Sequence, residues 1–172
     1  PIWVLPGMAV SAAQALAPDL ILQSRNPRLE VQALEGIATW ALQFTPDLSP
    51  APPETVLLEI GGCLKLFGGM ARFLQRVRDG LLDLGLEAIP AIAPTPTGAH
   101  ILARAGLELQ VRNLADLRRH LAALPLDCLG QPEVTLNALA QLGLKTLGEC
   151  LDLPRAGLAR RFGTGLLDEL DR

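Results

Sequence analysis

Hydrophobic positions change their period several times along the chain, and each change marks an element. Val10–Leu16 is short, Ala-rich and soon followed by Pro18, which predicts a brief helix. Asp19–Gln23 (DLILQ) is an apolar run between turn residues, the pattern of a short strand. Asn26-Pro27 supplies an N-cap and then a proline at the first helical position. From there Leu29, Ala33, Leu34, Ile37, Trp40, Ala41 and Phe44 recur at helical spacing, predicting a helix of about 18 residues. Thr45-Pro46 ends it, and Ser49–Pro53 (SPAPP) reads as a proline-stiffened loop.

Val56–Ile60 is a near-continuous apolar run, as expected of a strand covered on both faces. Met70–Leu84 follows as an amphipathic helix whose outer face carries Arg72, Gln75, Arg76, Arg78 and Asp79, with Gly80 inside it. Glu87–Ala93 predicts a strand in which Pro90 suits an edge or a bulge. Thr95-Pro96 opens a helix through Ala105, Leu107–Val111 is another short strand, and Asn113 caps a helix through Leu124. The order α-β-α-β-α-β-α-β-α implies a mixed sheet flanked by helices, an α+β class. From Pro125 onward Gly130, Pro132, Gly143, Gly148, Pro154 and Gly163 divide the chain into short helices. Two units are therefore expected, 1–124 and an all-helical 125–172.

Composition narrows the function. The 172 residues are 49% hydrophobic, contain no Tyr and only four Phe and two Trp, and so predict an aliphatic core. No apolar run approaches the roughly 20 residues needed to cross a bilayer, and no signal peptide opens the chain. The expectation is a soluble, cytoplasmic protein. Beginning Pro1-Ile2-Trp3 without Met, the chain is expected to be a piece of a longer one. Cys63, Cys128 and Cys150 are scattered and only His100 and His120 accompany them, a poor basis for zinc. The net charge of −3 argues against strong autonomous DNA binding, although a local basic face is compatible with it.

Phe44–Gly69 (FTPDLSPAPPETVLLEIGGCLKLFGG) resembles the second catalytic strand of Y-family translesion DNA polymerases. In that family a "TP" pair leads into Ser-x-Asp-Glu-Ala-Tyr-Leu-Asp, whose Asp-Glu pair serves two-metal nucleotidyl transfer. Aligned on Glu59, this chain has Glu54 where the Asp belongs and Thr55 where the Glu belongs. Pro6-Gly7-Met8 and Ala17-Pro18-Asp19-Leu20 resemble the finger segment. In Ala91–Ala103 the two phosphate-binding lysines of the family fall on Pro96 and His100, so both charges are missing at neutral pH. The helices after Pro125 resemble the thumb and its helix-hairpin-helix. Gly130-Gln131-Pro132 occupies the hairpin turn, where Pro132 cannot donate an N–H. Thr146–Glu149 and Leu158–Gly163 match the second thumb motif. The resemblance thus implies palm and fingers without a first strand, then most of a thumb, with no little finger.

Altered catalytic positions make the chain most similar to the non-catalytic ImuB-type branch of that family. Glu54 and Glu59 lie five apart on an extended strand, on opposite faces and roughly 16 Å apart, too far to share a metal. No metal, catalytic residue or cofactor is then expected. The Gly61-Gly62 and Gly68-Gly69 pairs read more simply as turns than as phosphate cradles. The candidate DNA contacts are Lys145, Thr146, Arg155, Arg160 and Arg161 near short helix starts. Arg72, Arg76, Arg78, Arg118 and Arg119 read as solvated faces.

The resemblance implies a role in DNA repair and damage-induced mutagenesis. Weak primer-template binding and assembly with a RecA-like accessory protein, the sliding clamp and an error-prone C-family polymerase are the expectation. Two alternatives stay open: an active translesion polymerase using Mg2+ at a substituted site, and an interaction scaffold without DNA binding. Without its first strand, the Val56–Ile60 edge is expected to be unpaired and the isolated chain to fold poorly.

Overall fold

A computed structural model describes residues 4–5 and 7–162. Its elements are helix α1 (Val10–Leu16), α2 (Pro27–Ala41), strands β1 (Leu48–Ala51) and β2 (Thr55–Leu58), then α3 (Met70–Asp83), α4 (Pro96–Arg104) and α5 (Leu114–Ala122). A 3-10 turn at Leu126–Leu129 precedes α6 (Glu133–Gln141), α7 (Leu147–Leu151) and α8 (Arg155–Phe162). The alternating order expected from sequence is replaced by two helices, a hairpin and a run of helices. The class remains α+β.

Caps place the helices where the sequence puts them. The Asn26 side chain accepts the N–H groups of Arg28 and Leu29 at the start of α2, with Pro27 in the first turn. Thr95 caps α4 by accepting the Gly98 N–H at 3.1 Å, and Asn113 caps α5 through the Asp116 N–H. Helix α2 has 15 residues, and Leu29 and Ala33, assigned to its apolar face, are exposed.

The strands depart further. The proline-rich loop expected over 49–53 is partly strand: β1 pairs antiparallel with β2, Leu48 opposite Leu58 and Pro50 opposite Val56. A bond from the Glu59 N–H to the Asp47 carbonyl sets the phase of this ladder. Alternation then puts Pro50 in a pair that exchanges no hydrogen bonds, so its missing N–H costs the ladder nothing. Residues of β2 are half-buried rather than covered on both faces. The strand expected over 19–23 does not form, and Ile21 is 92% exposed; an apolar run has no ladder without a partner. The two expected over 87–93 and 107–111 shrink to one parallel bridge, Ile92 to Gln110, flanked by Pro90.

Among the described residues three apolar clusters hold the fold. Phe44, Phe73 and Leu74 gather Trp40 and Phe67, with Phe44 centred 5.1 Å from Trp40 and 5.6 Å from both Phe67 and Phe73. Among the described residues the aromatic side chains thus gather in this one cluster, while the other two clusters are aliphatic, as expected. Gly80 lies inside α3 because a Cβ there would meet the Trp40 ring at 2.5 Å. A second cluster joins Leu102, Val111 and Leu117. The third joins Ile101 to Leu126, Leu129, Leu139, Leu147, Cys150 and Leu158. Consecutive residues of α4 therefore enter different cores, and this helix ties the hairpin side of the molecule to the C-terminal helices.

Among the described residues, the surface carboxylates Glu30, Asp116 and Glu149 stabilise local structure and carry a pH dependence. The Arg25 guanidinium holds Glu30 below the ordinary carboxylate range, the Asn113 amide does so for Asp116, and the Lys145 and Thr146 N–H groups do so for Glu149. Folded values below unfolded ones mean stability that is complete above the ordinary carboxylate range and lost as pH falls through the depressed values. Thermal midpoints should therefore decline below about pH 5, and Glu149→Gln should flatten that decline. An unchanged acid limb in the variant would contradict it.

Candidate functional site

Glu54 ends the turn that joins β1 to β2, and Thr55 is the first residue of β2. The Glu54 side chain is 64% exposed, and its Oε1 lies 3.7 Å from Nε of Arg104, the last residue of α4. Arg104 is only 18% exposed. Its Nη2 lies 3.1 Å from Nε2 of His100, one helical turn earlier. A guanidinium cannot accept, so in this contact the imidazole nitrogen is the acceptor. Pro96 opens the same helix on its exposed side. His100, one of the two positions expected to be degenerate phosphate sites, thus touches the cation that faces Glu54.

These residues do not fit a two-metal centre. Glu54 already faces a fixed cation, and Thr55 adds no charge. The Oε1 of exposed Glu59 accepts the Gly61 N–H at 2.7 Å. Among the described residues no group of three or more His, Cys, Asp and Glu is placed to hold a metal ion. The second glycine pair is spoken for as well: the Gly68 and Gly69 N–H groups donate to the carbonyls of Lys65 and Leu64.

The basic candidates are distributed differently. Lys145 is exposed, while Thr146 is half-buried. Glu149 Oε2 accepts the N–H groups of Lys145 at 2.6 Å and Thr146 at 3.0 Å, and the Thr146 hydroxyl accepts the Glu149 N–H in return. This capping box fills the start of α7 with the chain's own carboxylate. Arg160 is exposed on α8, whereas the side chains of Arg155 and Arg161 lie outside the described residues. Gly130 ends the 3-10 turn at φ +64°, its N–H donating to the Asp127 carbonyl, and Pro132 precedes α6.

Other cations pair on the surface. Arg78 meets Glu108 at 2.8 Å, Arg118 approaches Asp152 at 4.0 Å, and Arg119 bonds Asp116. Arg76 stands 5.7 Å from the centre of the Phe67 ring, and Arg72 covers Gly68. The residue that sequence reasoning missed is Arg104. Its signal was a lone charge four residues after His100 on an otherwise apolar helix.

Residues 4–104 match the family model described as impB/mucB/samB. The chain belongs to this family. It is 34% identical over 169 residues to Protein ImuB of Caulobacter vibrioides (strain NA1000 / CB15N), covering 98% of this chain and 37% of that one. It is 28% identical over 174 residues to DNA polymerase IV of Shewanella oneidensis, covering 93% of this chain and 46% of that one. It therefore spans less than half the length of these curated relatives. Its fold is that of the Dbh DNA polymerase in an insertion ternary complex, at TM-score 0.72, 18% identity and coverage of 99% of this chain and 51% of that one. DinB from Sulfolobus solfataricus agrees at TM-score 0.69 and 18% identity, over 99% of this chain and 52% of that one. The expected α+β class and likeness to Y-family polymerases are thus found, with a two-stranded hairpin in place of a larger mixed sheet, and DNA repair and translesion synthesis are the themes of the family. Among the described residues no helix is long and apolar enough to cross a membrane.

Proposed function

We propose that the protein is a non-catalytic translesion-polymerase homologue that serves damage-induced mutagenesis by assembling an error-prone polymerase complex. The observation that carries this reading is the pairing of Glu54 with Arg104, where the family's nucleotidyl transfer calls for carboxylates free to meet metal ions. Likeness to Protein ImuB supports the same branch. Under this reading the RecA-like accessory protein, the sliding clamp and a C-family polymerase are the partners. Primer-template DNA is held weakly through Lys145, Arg155, Arg160 and Arg161. The full-length protein should extend no primer with Mg2+ or Mn2+; metal-dependent incorporation above background would overturn the reading.

A second reading, a scaffold without DNA binding, draws support from the donors already used. Glu149 takes the Lys145 and Thr146 amides just ahead of α7, the Asp127 carbonyl takes that of Gly130, and Pro132 has none. Fluorescence anisotropy of the full-length protein with primer-template DNA separates the two. Weak binding that falls steeply with added salt supports the first reading, because phosphate contacts release counterions. No binding at low salt supports the scaffold.

A further inference from the structure

Gly130 and Arg104 are closer than any side chain at position 130 would allow. A Cβ built on Gly130 would lie 1.7 Å from Nη1 of Arg104, 2.5 Å from Cζ and 2.9 Å from Nη2. The guanidinium therefore rests on the bare backbone of Gly130, which itself adopts the left-handed conformation with φ +64°. The same guanidinium faces Glu54 through Nε and His100 through Nη2. Three parts of the chain meet on one planar group: the hairpin tip, the last turn of α4 and the turn into α6.

We infer that Arg104 is the built-in cation of this site, and that its guanidinium joins the hairpin tip to the Gly130 turn. Arginine suits the task. Its rigid fork presents donors in several directions at once and keeps its charge throughout the ordinary pH range. Its place at the end of α4 also sets positive charge against the helix C-terminus. Ile101 supplies the apolar half of the joint, since it shares a core with Leu126 and Leu129, the first and last residues of the 3-10 turn that Gly130 ends. Burial pushes the Cys128 thiol up, the Asp127 charge adds to the rise, and Arg104 partly offsets it. Its field thus reaches the 3-10 turn. A carboxylate at the degenerate metal position is in this way used to fix the C-terminal helices against the hairpin.

The joint stands on the contacts of Arg104 and does not need the functional reading above; a chain that extended primers could carry it too. It is tested by hydrogen exchange on the full-length protein, followed in peptides covering 126–132. Gly130→Asn tolerates the left-handed backbone, yet its Cβ must expel Arg104. Arg104→Ala removes the guanidinium directly. Each single variant should speed exchange over 126–132 roughly tenfold, by opening the same contact. The double variant should then exchange about as fast as either single. A double variant near the product of the two effects would overturn the joint, because the residues would act independently. Glu54→Gln, a mild change at an exposed position, gives a second arm. Faster exchange that extends from the hairpin into 126–132 supports the joint, and an effect confined to the hairpin overturns it.

Discussion

Leu139→Ala is expected to lower stability by about 2–5 kcal/mol, one of the largest losses a single side chain of this fold can produce. Leu139 is 0% exposed and packs with Leu129, Leu147, Cys150 and Leu158 in the C-terminal core. Its neighbours belong to different short helices whose caps and turns fix their backbones. The truncated site therefore cannot collapse, and the cavity adds to the lost transfer free energy. Val134→Ala on the same helix is the control. Val134 is 81% exposed, and its truncation should change stability by less than about 0.5 kcal/mol. Urea unfolding of the two variants, with unchanged m-values, measures the difference. A cost below about 1 kcal/mol for Leu139→Ala would mean that the C-terminal helices do not share one core.

Gly148→Ala is expected to cost about 1–3 kcal/mol, whereas Gly36→Ala should stabilise by about 0.4–1 kcal/mol. Both glycines lie inside helices, so propensity alone would favour alanine at each. Space decides the sign. A Cβ at Gly148 would meet the Ala122 carbonyl oxygen at 2.9 Å, its Cβ at 3.0 Å and its Cα at 3.2 Å. Backbone cannot swing aside as a side chain can. The contact is also pinned by the bond from the Leu147 N–H to the Leu124 carbonyl and by the bridge from Pro125 to Thr146. At Gly36 nothing lies within 4 Å. Thermal midpoints that move in opposite directions check the pair, and two shifts of the same sign would refute it.

Signals confined to one turn of chain were legible in the sequence. The Asn26-Pro27, Thr95-Pro96 and Asn113 caps are local bonds, and each helix starts where its cap predicts. Strands were read less well, because a ladder belongs to two segments at once. Residues 19–23 have the composition of a strand and no partner, while residues 48–51 carry a proline and have one. Glu54, Thr55, Pro96 and His100 entered the candidate site through motif positions alone. Arg104 escaped because its importance lies in a contact with Gly130, twenty-six residues later, that no local spacing encodes. The capping box at α7 was half visible. Thr146 and Glu149 stand three apart in sequence, and that spacing now accounts for amides that a phosphate would otherwise reach.

Pro50 gives the hairpin a direction of growth. Facing away from β2, it offers a visiting strand a ring carbon where a donor is required, so the outer side of β1 is a poor template. The opposite margin carries no such guard. By the same alternation, the Val56 and Leu58 amides point away from β1 into the open groove that β2 shares with Ala91 and Ala93. Any additional strand would therefore be recruited along the groove, next to Glu54 and Arg104. An unwanted neighbour on the solvent side would be turned away by the absence of a single hydrogen atom.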